Sequence, residues 1–268
     1  MASKSTLKAF MSGFAAVAIP VIFIVSVAIY YFVLGNPANF EGGNTNNHPL
    51  PGNYLGIVFK GGIIVPVLIS LFLIVIVFTI ERFITIRLAR GKSNVANFIL
   101  KVHSNIASNS IDNAIAECDK QKGSVANVVR AGLLKYREMR DAQELDRDQK
   151  VAAIKQEIEE ATSLELPLLE QNLVIIATLA SIATLMGLFG TVLGMIKAFA
   201  ALATAGAPDA SALANGISEA LVNTALGIGT SALAIIFYNY FTTKIDKMTY
   251  SIDEAGVALV QNFLAKHK

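Results

Sequence analysis

Two long apolar stretches carry polar side chains at regular spacing. Thr184 and Thr191 stand in the first; Asn223, Thr224 and Ser231 stand in the second. A hydroxyl both donates and accepts a hydrogen bond, so a threonine in hydrocarbon can solvate a carboxyl group or relay its proton. Thr184 and Thr191 are seven residues apart and share one helical face; Asn223, Gly227 and Ser231 follow at steps of four, and Thr224 and Ser231 are again seven apart. A lone helical threonine often bonds its own backbone carbonyl and does nothing more. Two such faces on successive apolar segments predict a polar interface inside a membrane. No Asp or Glu lies deep in either segment. Proton relays usually need a titratable group, so a proton path built here is incomplete, and its carboxylate is expected on another subunit.

Charges mark the ends of these segments. Thr191 lies six residues inward of Lys197, about 9 Å along a helix, and Thr224 five residues inward of Glu219, about 7.5 Å. The two threonines are therefore expected at similar depth, and so are Lys197 and Glu219. An ion pair between those charges and two independently snorkelling side chains are equally compatible with this spacing. Gly187, Gly190 and Gly194 with Ala183 on the first segment, and Gly227 on the second, are read as helix-packing positions, because small residues let backbones approach within a bilayer.

The elements that must hold these residues follow from where charge is missing. The chain has 268 residues, 54% hydrophobic and only 16% charged, with a net charge of +2. Soluble domains carry nearer a quarter charged residues. Residues 14–34 are almost continuously apolar, and the intervals 61–80, 171–196 and 220–243 contain no charge. About 20 helical residues cross a hydrocarbon core of about 30 Å, so each interval can span a membrane. From Glu81 to Glu170, by contrast, there are fourteen acidic and fourteen basic residues, out of 20 and 22 in the chain. Val125, Val128, Val129, Gly132, Leu133 and Tyr136 form one helical stripe there, and Val151, Ile154 and Ile158 another. The expectation is an all-α integral membrane protein with four transmembrane helices and a helical cytoplasmic domain. The small net charge gives no reason to expect nucleic acid. One cysteine, Cys118, and three scattered histidines (His48, His103, His267) form no metal motif. No nucleophile–base arrangement or phosphate loop is present, so neither an enzyme nor a cofactor is expected.

Orientation comes from Lys4 and Lys8 before the first span, Arg82, Arg87, Arg90 and Lys92 after the second, and Lys244 and Lys247 after the fourth. The positive-inside rule puts all three regions in the cytoplasm. A cleaved signal peptide over residues 1 to about 38 is the rival reading of the N-terminus. Its apolar run exceeds twenty residues, longer than a typical signal core, which favours a retained helix.

Specific motifs go further. Gly187-Leu-Phe-Gly-Thr-Val-Leu-Gly194, then Gly216-Ile-Ser-Glu-Ala-Leu-Val-Asn-Thr-Ala-Leu-Gly227 followed by Tyr238-Asn239, together with Glu81-Arg82 and Gly123–Leu133, resemble the ExbB/TolQ/MotA proton-channel family, most closely its ExbB branch. The resemblance runs from about residue 55 to 245. It implies a ring of identical subunits, a pentamer in ExbB, whose last two spans line a pore. An ExbD-like single-span partner would bring the proton-binding aspartate, and a TonB-like protein would carry the work to outer-membrane transporters. Thr191 and Thr224 match the family's pore hydroxyls, and Glu219 its outer glutamate; Thr184, Asn223 and Ser231 are added as pathway candidates. On this reading residues 1–11 are a cytoplasmic N-terminus, 12–34 an extra transmembrane helix, 35–58 a periplasmic loop and 59–80 a transmembrane helix. Residues 81–168 form the cytoplasmic domain, 169–203 and 214–243 the pore-lining helices, 204–213 a periplasmic loop, and 244–268 a cytoplasmic C-terminal helix, all in the inner membrane of a Gram-negative bacterium. The chain departs from the family at its extra first helix, at Lys197, at Ala234 where a proline is expected, and at Asn223. The extra helix is expected to pack at the ring's periphery. Tol-linked and motility-linked stators are alternatives within the family; a solute-transporter subunit or a membrane scaffold are alternatives outside it.

Overall fold

A computed structural model describes residues 2–203 and 210–266, with side chains described from residue 13 onward. Among the described residues the regular structure is helical, with one isolated bridge between Phe40 and Pro49. Four helices are long and apolar enough to cross a membrane, so the expected fold class holds.

The chain divides into two compact units. The first comprises the residues up to Thr79 together with Val174–Tyr238. In it, α1 (Ala2–Ala28) ends in a π-helical turn, Ile29–Leu34, whose wider i→i+5 spacing accommodates Tyr30 and Leu34 as buried residues. The following loop is tied down by asparagines. Asn39 donates to the carbonyls of Val33 and Leu34, both at 2.9 Å, and Asn53 donates to Asn39 at 3.0 Å. Asn53 also caps the short helix α2 (Tyr54–Phe59) by accepting from the Gly56 amide. A Gly61-Gly62 corner then leads into α3 (Val65–Arg90). The predicted periplasmic loop 35–58 thus contains a helix and a set of fixed turns. The predicted loop 204–213 falls mostly outside the described residues.

The second unit comprises Ile80–Leu173 and the chain from Asn239 onward. It holds α4 (Val95–Ala107), α5 (Ile111–Gln121), α6 (Ser124–Asp141) and α7 (Arg147–Glu170). The predicted stripe on α6 is buried from Val125 to Tyr136, and on α7 Ile154 is fully buried while Val151 and Ile158 are partly so. Asp146 and Gln149 close a capping box that starts α7. Tyr136 donates to Asn262 at 3.0 Å and meets Phe263 edge-on. The interleaved charges pair across the surface, as Arg130 with Asp119 and Arg137 with Asp112; such exposed pairs contribute little to stability.

The helices run beyond the charge-free intervals. α3 continues past Glu81 to Arg90, and the last helix, α9, runs unbroken from Ala210 to Lys266, well beyond residue 243. Hydropathy ends where charges begin, but backbone hydrogen bonding does not. Conversely, the backbone breaks at the start of the third apolar segment: α7 stops at Glu170, Asn172 adopts φ of +63°, and α8 (Leu173–Ala203) starts anew. Arg82 is fully buried beside this break. Its guanidinium grips both Glu81 oxygens, at 2.5 and 2.7 Å, and the Leu169 carbonyl at 3.1 Å.

Candidate functional site

The site lies within the first unit, where α8 and α9 meet. Their closest approach is made by glycines. A methyl at Gly187 would stand 3.0 Å from Gly227 Cα, and one at Gly194 would stand 2.8 Å from the Gly216 carbonyl and the Ala220 amide nitrogen. Gly190, the middle member of the predicted set, faces a side chain instead: its absent Cβ leaves room for Asn223. Backbone contact this close lets short hydroxyls reach across the seam.

Thr191 and Thr224 meet there, with their hydroxyls in hydrogen-bond contact. Thr191 also faces the Gly187 carbonyl at 3.2 Å, and Thr224 the Ala220 carbonyl at 3.2 Å. Two hydroxyls own two protons. If one donates to the other, a single proton remains for a carbonyl, and lone pairs on both oxygens stay free. Both threonines are partly exposed on the single chain. The pair can accept a hydrogen bond from a protonated carboxyl group, or turn a hydroxyl outward to donate to an ionised one.

Further along the seam Lys197 Nζ lies 2.6 Å from Glu219 Oε1, so the spacing is realised as an ion pair. The Glu219 side chain is 11% exposed and that of Lys197 56%, so the carboxylate is the more enclosed partner within the chain. Gly62, with φ of +78°, presses its backbone against the carboxylate: a Cβ there would fall 2.3 Å from Glu219 Oε1. Only glycine suits both the left-handed backbone and that approach. A cavity of about 410 Å³ opens beside the pair, with His48, Lys60, Asn215 and Ser218 on its wall.

Three other candidates do not join the threonine pair. Thr184 is exposed and faces its own Ala180 carbonyl, at 3.4 Å. Asn223 is fully buried and donates to the Gly61 carbonyl at 2.9 Å. Ser231 is 7% exposed and donates to the Ala180 carbonyl at 2.5 Å. Asn223 and Ser231 thus lie inside the chain and apart from the threonine pair, because the stripe they form with Gly227 is the face of α9 that packs on the chain itself. The Gly61-Gly62 corner was missed. Its signal was legible as a Lys-Gly-Gly run immediately before an apolar span.

The architecture defines a multi-pass helical membrane protein whose last two long apolar helices meet through glycines and pair two hydroxyls in a seam without a carboxylate at their depth. The chain belongs to the MotA/TolQ/ExbB proton channel family, whose model matches residues 120–254, half of its length. It is 33% identical over 124 residues to the Tol-Pal system protein TolQ of Pseudomonas aeruginosa, covering 46% of this chain and 54% of that one. It is 36% identical over 89 residues to the biopolymer transport protein ExbB of Salmonella typhimurium, covering 32% and 36%, and 34% identical over 86 residues to ExbB of Pseudomonas putida, covering 32% and 26%. The chain thus matches about half or less of the length of these relatives. Their names describe transport and Tol–Pal proteins, not enzymes.

Proposed function

We propose that the chain is the stator subunit of a motor driven by the proton-motive force across the inner membrane, with both termini cytoplasmic. The Thr191–Thr224 hydroxyl pair is the observation that carries this reading. Copies of the chain, five by the family resemblance, surround an ExbD-like single-span partner whose aspartate takes up and releases protons at the level of the pair. The threonines exchange donor and acceptor roles as that carboxyl group changes state, which lowers the cost of moving it through a dry seam. The resulting movement is passed to a TonB-like protein and on to outer-membrane transporters.

A TolQ-like assignment has its own support in the P. aeruginosa relative, which matches a longer stretch of this chain than the ExbB relatives above. Thr191→Val and Thr224→Val, tested in the native host, examine the common mechanism. Each is expected to leave the oligomer and its partner co-purifying while depressing proton-coupled work at least tenfold. Wild-type work in both variants removes the assignment. Loss of iron-complex uptake places the chain in the TonB branch, and loss of detergent tolerance places it in the Tol branch.

A further inference from the structure

Asn223 and the N-terminal hairpin, formed by α1, its π-helical turn, the following loop and α2 (Tyr54–Phe59), lie outside the proposed proton path, yet they are built into one another. Asn223 is fully buried one residue before Thr224. Its amide reaches the Gly61 carbonyl across 162 residues of sequence, while its Oδ1 is buried without a partner among the described residues. A buried amide whose oxygen has no partner carries a desolvation cost. Its Cβ and amide fill the space left by Gly190 on α8.

The Gly61 corner is fixed from its other side. Gly61 donates to the Val58 carbonyl, and the Phe59 carbonyl accepts from the Tyr30 hydroxyl at 3.2 Å. The Tyr30 ring, 8% exposed, stacks on Phe59 at 4.7 Å. Tyr30, Leu34 and Val65 form a buried cluster whose packed neighbours include Val58, Phe59 and Leu226 of α9. The π-helical turn that ends α1 therefore supports the corner, and α9 is held on either side of Thr224, by the corner at Asn223 and by the Tyr30–Leu34–Val65 cluster at Leu226.

We infer that the N-terminal hairpin is a positioning element for the threonine pair, acting through the Tyr30–Phe59–Gly61–Asn223 chain of contacts. This rests on the stator reading and changes the expected role of the extra helix, from peripheral packing to setting the rotation and depth of Thr224. Asn223 and Tyr30 are positioning residues, not proton carriers.

The test uses Tyr30→Phe and Asn223→Leu in the intact complex in its native host, alone, together, and each with Thr224→Val. The readouts are proton-coupled work and amide hydrogen exchange of the extracted complex. Loss of the single Tyr30 hydrogen bond is expected to lower work about two- to tenfold, the equivalent of one such bond. The double Tyr30→Phe/Asn223→Leu variant should be no worse than Asn223→Leu alone, and Tyr30→Phe should add nothing in the Thr224→Val background. Faster exchange should be confined to the segments around Gly61 and Thr224. If Asn223→Leu prevents assembly, Tyr30→Phe, which removes one oxygen, decides by the same readouts. Wild-type work in Tyr30→Phe and Asn223→Leu, with the threonine variants impaired, overturns the inference and spares the stator reading. Multiplicative losses, or faster exchange throughout the protein, overturn a shared local route. Wild-type work in the threonine variants as well overturns both proposals.

Discussion

Substituting the seam glycines one at a time yields a graded prediction. In Gly227→Ala the new methyl would lie 2.6 Å from the Ala183 carbonyl oxygen; in Gly194→Ala, 2.8 Å from Gly216 and Ala220 backbone atoms; in Gly187→Ala, 3.0 Å from those of Asn223 and Gly227. Gly229, on the same helix as Gly227, has nothing within 4 Å. Ordinary contact begins near 3.4 Å, so α8 and α9 must part by about 0.8, 0.6 and 0.4 Å respectively. Overpacking of this kind costs about 1–3 kcal/mol, while replacing a helical glycine by alanine returns up to about 1 kcal/mol. The net expectation is a loss of about 1–2 kcal/mol for Gly227→Ala, less for Gly194→Ala, nearly nothing for Gly187→Ala, and a small gain for Gly229→Ala. At about 2–4 °C per kcal/mol for a chain of this size, the midpoint for Gly227→Ala should fall by about 2–8 °C. The assay is thermal unfolding of the detergent-extracted protein, followed by circular dichroism at one scan rate, since such unfolding is often irreversible. A Gly229→Ala variant as damaged as Gly227→Ala, or an unaffected Gly227→Ala, would refute the claim that backbone contact across this seam sets the order.

Two further predictions concern the second unit. Arg82→Met leaves the Leu169 carbonyl and the Glu81 carboxylate without their cation; breaking a buried pair costs about 3–5 kcal/mol, so the variant should accumulate poorly in membranes, and parental yield and melting would count against the buried-pair assignment. Cys118 is buried, and burial pushes its thiol up to about 12. The native protein should therefore resist maleimide at pH 8 and react once denatured. Because the folded value is raised, this contribution to stability is intact below the free thiol's value near 9 and is lost as pH rises from there toward 12. A Cys118→Ala variant should show a shallower decline across that window, and an identical slope would refute the linkage.

The four long helices were legible because the bilayer imposes a length and an absence of charge, and intervals such as 171–196 satisfy both. The apolar stripe on α6 was legible for the same reason, as a periodicity demanded by burial. The direction in which each polar residue points was not. Asn223 and Thr224 are neighbours in sequence but are turned by about 100° around the helix, so one enters the packed interior and the other the seam. Periodicity identified the Asn223, Gly227 and Ser231 face without saying what covers it; packing on the Gly61 corner and on α8 made it an inside face. The depth argument fared better, since Thr191 with Thr224 and Lys197 with Glu219 were matched by residue counts alone, and rise per residue varies little. The break at Asn172 was hidden because counting charges does not reveal a backbone dihedral.

Gly190 and Asn223 also constrain how this sequence can change. The asparagine's Cβ and amide occupy the space that a Cβ at position 190 would need, at 2.5–2.8 Å. A side chain at 190 is therefore admissible only after position 223 has become small, and an amide at 223 only while 190 is glycine. The asparagine in turn has a use only where a preceding hairpin presents a carbonyl like that of Gly61. Positions 61, 190 and 223, distant in sequence, are thus bound into a single evolutionary step order. A relative without the hairpin should carry a small apolar residue in place of Asn223, and in that relative alone position 190 becomes free to vary.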